Sequence, residues 1–158
     1  MKKLLTVLLL TGTIWSCNNH KTAENKNFNN PSNTGEHHSA IKGGQLELNN
    51  GAKWKVDRVT NNNINNLRLV LEKFDNGSDK SFSAYKKTQN DLQQGIDKII
   101  SECKMKEANH LALHKWLEPL IAQATKFKQA SAVPDAAEAL KAIEAQVNLY
   151  GQYFKAEL

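Results

Sequence analysis

The chain of 158 residues is poor in the residues that would mark many functional classes. It has two cysteines, three prolines and two methionines, and aromatics make up 7%. Two cysteines cannot staple a disulfide scaffold. There is no Cys-x-x-Cys-His haem attachment and no pair of zinc-knuckle cysteines, so covalent haem and a zinc-knuckle fold are excluded. A Gly-rich phosphate loop and a Gly-x-Ser-x-Gly nucleophile elbow are also missing. No internal repeat or heptad array stands out. The longest apolar stretch, around Leu4–Leu10, is too short to span a membrane as a helix. The length fits one domain with a tail, which excludes a multidomain enzyme and a polytopic membrane protein. Hydrophobic residues at 40% and charged residues at 23% are ordinary soluble values.

What is present starts at the front. Lys2 and Lys3 precede the apolar stretch, and Ile14-Trp15-Ser16-Cys17 closes it. A basic start, a short apolar run and a small residue before a cleavage point read as a secretory signal over residues 1–16. Removing Lys2 and Lys3 takes two charges from the formal +5, so the pI of 9.2 overstates the basicity of the mature chain. Ile-x-Ser-Cys resembles the lipobox of bacterial lipoproteins. That resemblance implies acylation (palmitate among the chains) at Cys17 and anchoring to a membrane through the lipid. Cys103 would then have no intramolecular partner, and a lone thiol in an oxidising envelope compartment invites oxidation unless buried or occupied. In lipoproteins of the Bacteroidota, acidic residues after the cysteine resemble a surface-export signal. Asn18-Asn19-His20-Lys21 has none, which favours a periplasm-facing protein. Residues 17–44, rich in Asn, Ser, Thr, Lys and Gly, read as a flexible tether, with His37-His38 a solvated pair inside it.

Leu46, Leu48, Trp54 and Val56 alternate with polar residues about Asn50-Gly51, which predicts a β-hairpin over 45–58. Helical periodicity follows through 59–158. One stripe runs Ile64, Leu67, Leu71, Phe74 and stops at Asn76-Gly77. A second runs Phe82, Tyr85, Leu92, Ile96, Ile99, Cys103, and a third His110, His114, Leu117, Ile121, Ala124. The fourth opens at Pro134-Asp135 and carries Ala136, Leu140, Ile143, Val147, Tyr150 and Phe154. The expected fold is mainly α, an antiparallel four-helix bundle preceded by a short hairpin. Pro119 should bend the third helix near Lys115.

Chemistry concentrates in Cys103-x-Met105-x4-His110-x3-His114. Histidines four apart stack on one helix face, about 6 Å apart, within reach of one ion. At 100° per residue, His114, Leu117 and Ile121 lie within about 40° of His110, so the imidazoles are expected on the core-facing stripe. Inward imidazoles need partners. Thiolate and thioether favour Cu(I), and imidazole suits copper and zinc alike. Taken singly, each histidine is more simply a hydrogen-bonded core residue, and Met105 is gap filler. The combination argues for a metal site, on one condition. A single helix through 92–117 would hold Cys103 about 10 Å along the axis from His110. The residues must instead turn within 104–109, where no Gly or Pro marks a turn and Asn109 is the candidate cap.

The string Cys-x-Met-x4-His-x3-His, then Lys-Trp-Leu-x-Pro-Leu at 115–120 and Leu-Asn-x-Gly-x-Lys-Trp-x-Val at 48–56, resembles uncharacterised small lipoproteins of the Bacteroidota. The likeness covers roughly residues 45–156 and implies a helical envelope domain with a metal site. The bundle is also similar to four-helix cytochromes. The expected function is therefore a membrane-tethered, periplasm-facing protein that binds Cu(I), or zinc, through Cys103, His110 and His114 with Met105 assisting. It would buffer, deliver or sense the metal and not act as an enzyme. The alternatives are a structural or protein-interaction module without metal, and a haem-binding electron carrier. Lys104, Lys106 and Lys115 form a modest basic patch that reads as a solvated bundle end, not a nucleic-acid surface.

Overall fold

The computed structural model describes residues 45–157. In chain order these form β1 (Trp54–Val56), α1 (Arg58–Asn76), α2 (Phe82–Glu102), α3 (Glu107–Gln129), α4 (Val133–Tyr153) and β2 (Phe154–Ala156). The four helices make the expected bundle, with short links between them. The tether, Cys17 and the His37-His38 pair lie outside the described residues. No helix among the described residues is long and apolar enough to cross a membrane.

Helix starts and stops follow local chemistry. Asp57 caps α1, its carboxylate accepting from the Thr60 N–H at 2.8 Å and the Thr60 hydroxyl at 2.9 Å. At the far end the Gly77 N–H and the Lys80 ammonium both donate to the Phe74 carbonyl, satisfying acceptors that a helix terminus leaves open. Ser81 caps α2 through the Ala84 N–H. The Ser81 N–H also donates to Asp79, and the two Ser81 donors hold that exposed carboxyl below its usual range. Lys86 donates to the carbonyls of Lys128 and Ala130, closing the end of α3. Pro134 lies in the first turn of α4, where its missing N–H costs nothing.

The core is continuous, with Trp116, Phe127, Ile64, Leu67, Leu92 and Ile143 among its sealed members. α1 and α2 approach closely at Gly95, where any Cβ would overlap the Leu67 side chain. α3 runs through Pro119 as one helix. A reciprocal pair ties this stretch to α4. The Trp116 indole donates to the Gln146 carbonyl at 2.9 Å, and the Gln146 amide donates to the Trp116 carbonyl at 2.7 Å.

Two expectations are corrected. Asn50 and Gly51 adopt φ of +50° and +83°, and Asn49 and Ala52 exchange backbone hydrogen bonds, so the tight turn forms. It does not carry a hairpin of paired strands. β1 pairs instead with β2, in parallel, with Trp54 opposite Phe154 and Val56 opposite Ala156. The reason is burial. Val56 and Phe154 both enter the core, whereas Leu48 on the other side of the turn is exposed. The fourth helix correspondingly ends at Tyr153, one residue before Phe154 becomes strand. The second correction concerns α3. Its buried line is Leu113, Trp116, Leu117 and Leu120, while Ile121 is 38% exposed. The histidines therefore ride on the edge of the core stripe and not at its centre.

Candidate metal centre

The chain turns where the cluster requires it. α2 ends at Glu102, residues 103–106 form the link, and α3 begins at Glu107. Cys103 is the C-cap of α2, in extended backbone, while His110 and His114 occupy the first two turns of α3. The link contains no glycine. Glu107 takes the positive φ, at +52°, a conformation costing roughly 1–2 kcal/mol for a residue with a Cβ. Lys106 is the N-cap of α3 and provides no side-chain hydrogen bond. Asn109, the candidate cap, lies inside the helix. The strain and the missing cap explain why this boundary has no ordinary signature. A Glu in the left-handed region cannot be read from residue type.

The link brings three of the four sequence-predicted donors together. The Cys103 Sγ lies 3.6 Å from His110 Nδ1, and His110 Nε2 lies 2.8 Å from His114 Nε2. The two rings are 4.4 Å apart between centroids and tilted by 55°. All three side chains are half-buried, and Cys103 is a free thiol. Met105, in the middle of the link, is half-buried and packs against the hydrophobic core.

The arrangement is a line and not a cradle. Sulfur meets one nitrogen of the His110 ring, and His114 meets the other. Among the described residues no group of three or more His, Cys, Asp or Glu side chains converges as a metal-holding set. Each contact in the line can be made with either group as donor, according to which tautomer His110 and His114 adopt. Chemically the line offers two imidazole nitrogens facing one another and a thiol bonded to the back of the nearer ring.

The surroundings are mixed. Lys104 and Lys106 are exposed on the link, and Lys115 is half-buried beside His114. Glu102 accepts from the Asn63 amide at 2.8 Å, joining α1 to the end of α2. Ile100, three residues before Cys103, is 51% exposed, and Leu111, three before His114, is 47% exposed. Neither was singled out by periodicity, because each falls off the buried stripe of its helix. Comparison with protein-family models, with curated proteins and with solved structures finds no match.

Proposed function

We propose that this chain is a lipid-tethered protein of the bacterial envelope that holds a metal ion, copper or zinc, at the α2–α3 end of its bundle, and buffers, delivers or senses it. The observation that carries this reading is the close approach of Cys103, His110 and His114 across a link that periodicity alone leaves ambiguous. Imidazole suits both metals, and a neighbouring thiol is compatible with either. The side chains are half-buried, so an ion can reach them. A porphyrin is a poor fit. His110 and His114 stand on one helix with 2.8 Å between their facing nitrogens, which leaves no room for a haem plane between them.

The test uses the full-length chain with Cys17→Ser, titrated under reducing conditions with Cu(I), Zn²⁺ and haem. One ion per chain and a metal-dependent rise in melting temperature are expected, since selective binding to the native state stabilises it by mass action. A hundredfold excess over Kd corresponds to about 2.7 kcal/mol. No uptake at micromolar metal would sink the reading. It would leave a structural or interaction module without metal.

A further inference from the structure

The metal reading leaves open which atoms touch the ion. We infer that His110 Nε2 and His114 Nε2 form a two-point clamp for a borderline divalent ion of the zinc kind, and that Cys103 is a positioning residue behind His110 and not a ligand. This deepens the metal reading and rests on it.

Three observations carry the inference. The first is separation. Metal–imidazole bonds of about 2.0–2.1 Å to two nitrogens 2.8 Å apart subtend about 90° at the ion, the angle between neighbouring positions of a six-coordinate or tetragonal divalent ion; a tetrahedral ion would open the pair by about half an ångström. A two-coordinate monovalent ion needs its donors on opposite sides, roughly 4 Å apart on the same bond lengths, which this pair does not provide. The second is direction. The sulfur lies against Nδ1 of His110, while the atom facing His114 is Nε2. The lone pairs of one imidazole diverge, so an ion seated between the two Nε2 atoms is several ångströms beyond the ~2.3 Å of a metal–sulfur bond. The third is the second shell. Metal-binding histidines commonly donate the other ring N–H to a fixed acceptor, which sets the tautomer and aims the ligating nitrogen. Cys103, the C-cap residue of α2, stands where that acceptor is required. With Nδ1–H directed at the sulfur, the Nε2 lone pair of His110 faces His114, and the ion takes the place of the proton between the two Nε2 atoms once His114 carries its own proton on Nδ1. Two protein ligands leave the remaining positions to water or to a donor brought by a partner.

The experiment again uses the full-length chain with Cys17→Ser, which leaves Cys103 as the single thiol. Zn²⁺ binding is followed by calorimetry and Co²⁺ binding by absorption. The Cys103 thiol of the otherwise unmutated chain should react with an aromatic disulfide reagent at the same rate with and without saturating Zn²⁺. The Co²⁺ form should show no thiolate-to-metal charge-transfer band. Cys103→Ala, which removes the acceptor, should weaken Zn²⁺ binding by about tenfold to a hundredfold, the loss typical of an outer-shell partner, whereas His110→Gln and His114→Gln should each abolish measurable uptake. A thiol shielded by Zn²⁺, or a charge-transfer band, would make sulfur a ligand and overturn this division of labour while leaving the metal reading standing. Failure of the unmutated chain to take up Zn²⁺, Co²⁺ or Cu(I) would overturn both.

Discussion

Tyr150 shows how one buried residue couples the fold to pH. Its hydroxyl donates to the Asn61 side chain at 3.2 Å, its ring stacks on Phe154 and meets Trp116 edge-on, and the Arg68 guanidinium lies 5.4 Å from its centroid. Burial pushes the phenol well above its ordinary value of 10.0, Arg68 opposes the shift, and Asp57 adds to it. Because the folded form keeps its proton longer than the unfolded chain, this group's contribution is complete below about pH 10 and is lost as pH rises from there towards the folded value. In Tyr150→Phe the wild-type advantage from the hydroxyl should be about 1 kcal/mol at pH 8. That advantage should shrink by about 1.4 kcal/mol per pH unit above about pH 10. Urea unfolding of both proteins between about pH 8 and pH 11 measures it, and a constant difference would refute it. At the same scale, Cys103, His110 and His114 could be picked out by type and spacing. Glu107 could not, because its left-handed backbone is imposed by the link and leaves no mark on the residue chosen.

Helix-to-helix fit decides more than helix propensity. α1 and α2 are the most closely apposed pair at Gly95, whose missing side chain is filled by Leu67. In isolation Gly95→Ala would strengthen a helix by about 1 kcal/mol. Here the added methyl overlaps a sealed leucine, and the net effect should be a loss of about 1–3 kcal/mol in chemical denaturation. A gain in stability would mean that the two helices separate more easily than their packing implies. The four helices were legible because apolar spacing of three and four recurs, with Asn76-Gly77 marking the first stop and Pro134 the last start; the Asp57 and Ser81 caps went unread. The facing of α3 was not. Leu111, Leu113, Trp116, Leu117, Leu120 and Ile121 place apolar groups around much of its circumference, so several stripes satisfy the helical period. The Trp116–Gln146 pair and the core select one of them.

The molecule as a whole is clipped by its shortest elements. β1 precedes the four helices, β2 follows them, and the pair is extended by the Glu157 N–H donating to the Val56 carbonyl at 2.9 Å. Parallel neighbours require a long crossover, and here the entire bundle serves as one. Local reading of Asn50-Gly51 could find the turn but not the partner, because pairing is settled by a burial contest between segments far apart in the chain. Phe154→Ala should cost about 3–5 kcal/mol, as for a large aromatic truncated in a core. Hydrogen exchange should then quicken at Glu157 along with β1. Unchanged protection at Glu157 would show that the strands hold without the ring.

That pairing also sets an order of events at birth. Val56 waits for Ala156, roughly a hundred positions later, so a nascent polypeptide can assemble its rods early yet cannot lock until Phe154–Ala156 has emerged. A chain cut before Phe154 would leave the first strand's apolar side chain searching for a mate. Such a product would hold its helices while remaining open to proteases at the seam.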